Sequence, residues 1–164
     1  MIRKLSSKDF QTIYSIINDA SRAYKGKIPA DCWKEPYMPA EELRAEIESG
    51  VKFYGYIENS KVVAVMGIQP VGDVTLIRHA YTMTSHQRQG IGEKLLNQLL
   101  GIAQTERILV GTWEDAYWAI KFYQKHGFTQ LSRKETNKLL NKYWNISHRQ
   151  LETSVVLERK RCCP

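Results

Sequence analysis

The residues best placed to do chemistry are Gln87-Arg88-Gln89-Gly90-Ile91-Gly92, between a run of strand-forming residues and a strongly amphipathic stretch. Glycine permits a tight turn and lets backbone N–H groups approach a ligand with no Cβ in the way. Successive amides at a helix start, reinforced by the helix dipole, suit an anion such as a pyrophosphate, each close contact contributing roughly 0.3–1 kcal/mol. Two other phosphate-binding turns are excluded. A dinucleotide fingerprint needs a third glycine where Leu95 stands, and a P-loop needs Gly-Lys-Ser/Thr, which the sequence lacks. No two histidines have metal-ligand spacing, and no Cys or Ser stands out as a nucleophile. His86 beside the turn, His126 at a helix end and His148 in a polar loop read as structural or surface residues.

The elements that must position this turn follow from periodicity. Ser6 and Asp9 start a helix over about 7–23, with Phe10, Ile13, Ile17 and Ala20 at helical spacing. Gly26, Pro29 and Pro36 keep 24–38 irregular, a natural pocket wall, before Pro39 opens a short acidic helix that Gly50 closes. Residues 51–57 and 61–69 are β-branched or aromatic and flank the turn Glu58-Asn59-Ser60, which predicts a hairpin. A second turn over Pro70-Val71-Gly72-Asp73 leads to a third strand at 74–83. Ile91, Leu95, Leu99 and Ile102 then define a helix over 90–104. A strand at 107–111, a helix at 115–126 capped by Gly127, and a strand at 128–132 follow. A short helix around Leu139 and Leu140 and a last strand at 151–157 complete an α/β domain with right-handed crossovers and a mixed sheet.

Gln87-x-x-Gly90-x-Gly92 matches the pattern Gln/Arg-x-x-Gly-x-Gly/Ala. The run Ala119-Ile120-Lys121-Phe122-Tyr123-Gln124-Lys125-His126-Gly127-Phe128 is similar to Ala-x-x-Phe-Tyr-x-Lys-x-Gly-Phe. With both motifs in that order and spacing, the chain resembles the GNAT acyltransferase superfamily, and more loosely over nearly its whole length. The resemblance implies an α/β (α+β) fold: a mixed, mostly antiparallel central sheet of about seven strands flanked by helices. Strands 4 and 5 would splay apart and leave a wedge for acetyl-coenzyme A. Pantetheine would pair like an extra strand with the backbone of Tyr81, Thr82 and Met83, a form of β-augmentation. Pyrophosphate would lie behind Gln87 on the amides of Arg88, Gln89, Gly90, Ile91, Gly92 and Glu93, with Arg88 or Lys94 supplying charge. From the second motif and its approach, Trp118, Phe122, Tyr123 and Lys125 would face the cofactor. Many relatives carry Asn shortly before the Ala of the second motif; Glu114, Asp115 and Ala116 occupy that approach here, so that contact is not carried over.

Acetyl transfer needs a neutral amine, yet an alkyl amine of pKa about 10.4 is only about one part in 10³ neutral at pH 7, a deficit of roughly 4 kcal/mol. A base must take that proton. The departing thiolate gains from a proton donor, and a phenol stays protonated at neutral pH. The resemblance puts Tyr123 there as general acid, since family members commonly carry a Tyr near the sulfur. His79, the only histidine on the strand beside the cofactor edge, is the candidate base, with Glu114 and Tyr81 as alternatives. The family's usual mechanism is direct attack in a ternary complex, with no acyl-enzyme and no metal.

A chain of 164 residues, 43% hydrophobic and 25% charged, suits one packed domain and is too apolar for general disorder. Residues 1–158 read as that single domain and 159–164 as a short basic tail. A net charge of +7 suits an anionic partner, either nucleic acid or a phosphorylated small molecule, and charge alone does not choose. No nucleic-acid motif accompanies the charge, so the cofactor's phosphates are the expected partner and nucleic acid is not. No apolar run reaches the roughly 18 residues of a membrane span, and Met1 to Lys8 has no apolar stretch behind it, so the expectation is a cytoplasmic protein without membrane contact. Cys32, Cys162 and Cys163 read as free thiols, and the protein as a monomer or homodimer.

The acceptor, a small-molecule or peptide amine, would lie among Tyr24 to Met38 and Arg133 to Gln150. Trp33, Tyr37, Trp113, Tyr117, Trp118, Tyr143 and Trp144 supply aromatics there. The excess of Arg133, Lys134, Lys138, Lys142 and Arg149 over Glu135 favours a neutral or acidic acceptor over a polycation. A chain that kept the cofactor site as a sensor would instead bind acetyl-coenzyme A without turnover.

Overall fold

The computed structural model describes residues 1–161 of the chain. Ser6 accepts from the Lys8 amide while the Asp9 carboxylate accepts from the Ser6 amide at 2.8 Å, a reciprocal cap that starts a 3-10 turn and then helix α1, Phe10–Ala20. Ile13, Ile16, Ile17 and Ala20 form its buried stripe, and a second 3-10 turn carries the chain to Tyr24. Helix α2, Ala40–Glu48, opens after Pro39 with acidic Glu41 and Glu42 and buries Leu43.

One sheet of seven strands carries the rest. In chain order they are β1 Ile2–Lys4, β2 Lys52–Glu58, β3 Lys61–Val71, β4 Val74–Thr82, β5 Arg107–Trp113, β6 Thr129–Gln130 and β7 Ser154–Lys160. Their spatial order is β1-β2-β3-β4-β5-β7-β6, antiparallel throughout except for the parallel pair β4 and β5. Helices α3 Ile91–Ile102 and α4 Tyr117–Lys125 connect the middle strands, and α5 Arg133–Tyr143 and α6 His148–Glu152 lie between β6 and β7. Leu95, Leu96 and Leu99 of α3 pack on Met66, Ile68 and Ile77 on one face of the sheet. On the other, α1 and α2 cover Phe53 and Val65, and Leu139 and Leu140 of α5 cover Leu76, Leu109 and Val156.

Two features of β4 open the sheet. Its parallel pairing with β5 ends at Ile77 opposite Val110, although β4 continues to Thr82 and β5 to Trp113. On its other edge Gly67 faces Arg78 and Val65 faces Tyr81, so Met66 alone opposes His79 and Ala80. That is a β-bulge, and His79 takes the left-handed φ of +52° at its centre. The extra residue bends β4 away from β5 and produces the expected splay.

Several boundaries differ from the sequence reading. Strand β1 was not anticipated, being three residues held by pairing with Tyr54 to Tyr56 rather than by its own pattern. Pro70 belongs to β3 opposite Thr75, so the turn is shorter than expected. Helix α5 spans the whole of Arg133–Tyr143, capped by Ser132, and α6 claims Leu151, which delays the last strand to Ser154. Strand β7 then matches β5 from Trp113 opposite Ser154 to Arg107 opposite Lys160, so Arg159 and Lys160 are sheet residues rather than tail. Arg159 donates to the His126 carbonyl at 2.6 Å, and the Arg161 amide to the Glu106 carbonyl at 2.7 Å. Cys32 is a free, partly buried thiol. Cys162 and Cys163 lie outside the described residues. Among the described residues no helix is long and apolar enough to cross a membrane, and no cluster of His, Cys, Asp or Glu could hold a metal.

Candidate active site

The glycine turn is built as its residue types require. A 3-10 turn at Thr84–His86 leaves β4, anchored where the Thr84 amide donates to the Asp19 carboxylate at 2.9 Å. The Gln87 amide side chain donates back to the Thr82 carbonyl at 3.1 Å, which spends this motif residue on holding the turn to the strand. Arg88 and Gly90 take left-handed φ values of +64° and +75°, and Gly90 caps α3. The Lys94 amide is the first of the helix to reach a carbonyl, that of Gly90. The amides of Ile91, Gly92 and Glu93 are the first-turn donors a helix cannot satisfy itself.

Those donors face a cavity of about 660 Å³ between the β4 edge, α3 and α4. Tyr81 and Thr82 line it from β4, Gln87, Arg88, Gly90, Ile91, Gly92 and Glu93 from the turn, and Trp118, Phe122, Tyr123 and Lys125 from α4. Three expected residues stand outside its wall. Met83 turns into the core while its amide donates to the Val63 carbonyl, Gln89 is exposed, and Lys94 places its Nζ 5.5 Å from the Tyr56 ring centroid. His86 and His126, read as structural or surface residues, both line this cavity. His86 is also paired with Glu58 at 3.0 Å, and His148, exposed, with Glu152.

A second cavity, of about 130 Å³, occupies the splay between β4 and β5. His79 and Arg78 line it from β4, Gly111 to Trp113 from β5, Tyr24 and Tyr37 from the irregular segment, and Trp144, Ile146 and Gln150 from the stretch around α6. Tyr24, Ala80, Tyr81, Ala119 and Tyr123 belong to both cavities, so the two meet at the strand's end. Tyr123 is 5% exposed and stands edge-on between Phe122 and Phe128, at 5.2 and 5.4 Å between centroids. Burial pushes its phenol well above the usual tyrosine range, and Tyr24, Tyr37 and Tyr81 are raised for the same reason. The Tyr37 hydroxyl accepts from Trp113 Nε1 at 2.7 Å. Neutral phenols are therefore the native state here, which suits Tyr123 as a donor and counts against Tyr81 as a base.

His79 hydrogen-bonds through Nε2 to Glu46 of α2. Glu46 also receives Arg78 at 2.9 Å, and Arg78 donates to the Gln69 side chain at 3.1 Å. Burial alone would raise the Glu46 carboxyl, but the hydrogen bonds and charges of His79 and Arg78 outweigh it and hold the group below its usual range. Glu114, the other carboxylate considered as a base, lies outside both cavity walls and pairs with Arg133 at 3.0 Å. Glu46 carried no signal in the sequence, because one of four glutamates on a short acidic helix reads as a solvated residue.

Of the expected aromatics, Tyr37, Trp113 and Trp144 line the smaller cavity, and Trp118 lines the larger, stacked on Tyr24 at 5.9 Å. Trp33 stacks behind Tyr37, Tyr143 bonds Asp73, and Tyr117 is exposed. The basic residues invoked for the acceptor are engaged elsewhere or point outward. Arg133 holds Glu114 and the Ser154 carbonyl, Arg149 holds Asp31 at 2.8 Å, and Lys134, Lys138 and Lys142 are exposed.

A seven-stranded sheet split between a parallel pair, with a glycine turn and helix start at the split, defines a class of acyl-group transferases. Residues 10–128 match the acetyltransferase (GNAT) family, and the chain belongs to that family. Solved structures share the fold at low identity. PaiA N-acetyltransferase from Thermoplasma acidophilum, in complex with coenzyme A, is 18% identical, covers 98% of each chain and has a TM-score of 0.72. A GNAT family acetyltransferase from Elizabethkingia anophelis with acetyl-CoA bound is 20% identical over 98% of this chain and 97% of that one, with a TM-score of 0.67. The ribosomal-protein-S18-alanine N-acetyltransferase from Escherichia coli is 17% identical over 100% and 95%, with a TM-score of 0.69.

Proposed function

We propose that this chain transfers an acetyl group from acetyl-coenzyme A to the amine of a small molecule or peptide, by direct attack in a ternary complex. The observation that carries this reading is the meeting of the two cavities at Tyr81 and Tyr123. One ends on the unsatisfied amides of α3 and can take a diphosphate; the other ends on His79 and can take an amine. Coenzyme A and acetyl-CoA in two of the similar structures support the cofactor assignment.

The chemistry then follows from position. The amine nitrogen bonds to the carbonyl carbon and gives up a proton to His79. As the carbon–sulfur bond breaks, the sulfur takes a proton from Tyr123, and solvent exchange resets both side chains. Cofactor binding belongs to the backbone of Gly90 to Glu93 and the free edge of β4 beyond Ile77.

Two measurements on the full chain test the reading. Acetyl-coenzyme A should raise the Tm, and free thiol should appear with at least one member of a panel of small amines and N-terminal peptides. Stabilisation without thiol release anywhere in the panel would replace the transferase by a non-catalytic acetyl-CoA-binding module; no stabilisation would remove the cofactor site itself.

A further inference from the structure

The acceptor cavity has no carboxylate in its wall among the described residues, and His79 is the one imidazole that lines it. Behind it stands Glu46. We propose that Glu46 is a positioning residue: from α2 it fixes the His79 ring, leaves Nδ1 to receive the proton of the acceptor amine, and stabilises the imidazolium that forms. The inference rests on the transferase reading and on His79 as its base.

The bulge in β4 is what makes the pair. In a regular strand Arg78 and His79 would point to opposite faces. The extra residue and the left-handed φ at His79 send both toward α2, where one carboxylate meets both side chains. Glu46 gives Oε1 to Arg78 and Oε2 to His79, while Gln69 of β3 holds Arg78 from behind. An acid held by a guanidinium is poorly placed to take a proton for itself and well placed to accept N–H from a ring. With the carboxylate on Nε2–H, the neutral ring carries its lone pair on Nδ1, the nitrogen that Glu46 does not engage. Phe53 and Tyr81 flank the ring nearly parallel, at 25° and 22°, and fix its plane.

Solvent does little to weaken the arrangement. The side chains of His79, Arg78 and Glu46 are 13%, 15% and 18% exposed, unlike the surface pairs of the molecule. The groups facing His79 are Glu46 from α2, Arg78 and Tyr81 from its own strand, Tyr24 and Tyr37 across the cavity, and Tyr123 from α4. Of these, Glu46 alone is a carboxylate, so it is the group placed to stabilise an imidazolium formed during the reaction.

The variant Glu46→Gln keeps an oxygen to accept from Nε2–H and removes the charge. Imidazole NMR of the full chain with coenzyme A bound reads the consequence without needing an acceptor. Loss of the carboxylate should shift the His79 ring resonances, since Glu46 is bonded to its Nε2, and leave those of His86, His126 and His148 unmoved, His79 being assigned by its absence in His79→Asn. The acidic limb of thiol release with a primary alkylamine should move to lower pH, and the plateau should fall about tenfold or more. Glu46→Asp, which keeps charge but shortens the reach, should hold the limb in place while kcat falls, and it guards against a Gln variant that fails to fold. If His79→Asn keeps the limb, the base assignment falls and Glu46 with it. If His79→Asn loses the limb but Glu46→Gln moves neither the His79 resonances nor the limb, the Glu46 proposal alone is overturned.

Discussion

The role proposed for Tyr123 asks a single side chain to be both core and reagent. Its ring packs between Phe122 and Phe128 as any core aromatic would, while the residue lines both cavities where they join. Burial keeps that phenol protonated far above working pH, which removes it as a base and preserves it as a donor to a thiolate leaving group. Tyr123→Phe keeps the ring, its edge-on contacts and the cavity shape, so folding and the Tm gain with acetyl-coenzyme A should match the parent. Turnover should fall about 10²-fold, seen as slower thiol release at saturating amine. Unchanged turnover would return Tyr123 to the core and leave the proton to water.

At the scale of elements, the turn before α3 separates two roles for glycine that the motif writes identically. Gly90 has a φ of +75° with open space where a Cβ would stand, so Gly90→Ala meets no atom but strains the backbone by roughly 1–2 kcal/mol. Gly92 lies inside the helix, and its added Cβ would touch Phe122 at an ordinary 3.6 Å. Gly92→Ala should hold or raise the Tm, since alanine is the better helix former, yet lose affinity for coenzyme A because the methyl enters the cavity beside the first-turn amides. Chemical unfolding and calorimetric titration of the two variants should therefore rank them in opposite orders. Local signals such as these were legible in the sequence. Both motifs, the hairpin, the amphipathic helices and the splay all emerged from residue types at short spacing or from the resemblance they carried. The bulge at His79 did not, because it is a register between β3 and β4 that neither strand encodes alone. Glu46 escaped for the same reason: it meets His79 only once α2 has folded over that bulge. Helix α6 is too short and polar for a periodic signal, and it is a serine cap at Ser147 that starts it.

The whole molecule places its titratable groups so that stability is bounded on both sides of neutrality. Asp9 is lowered to about 2 by its hydrogen bond from Arg3, and Asp31 and Asp73 are lowered by Arg149 and Tyr143. Asp19 and Glu46 are lowered too, against the burial that would raise them. A folded state that holds carboxylates below their unfolded values binds fewer protons than the unfolded chain. Its advantage is complete above the unfolded range near pH 4 and is lost as pH falls toward 2. The four phenols at the cavity junction act at the other end. Tyr24, Tyr37, Tyr81 and Tyr123 are raised by burial, so above about pH 10 the unfolded chain sheds protons that the folded one keeps, and stability declines as pH climbs. The Tm should accordingly be flat between about pH 5 and 9 and fall on either side of that plateau. Tyrosinate absorbance followed together with far-ultraviolet circular dichroism checks the alkaline half. Four of the nine tyrosines should ionise only as the dichroism collapses, and bound coenzyme A should push that step to higher pH. Full ionisation of all nine with the helices and sheet intact would mean that water reaches the junction freely, and a site so wet could not keep the Tyr123 proton for a leaving thiolate.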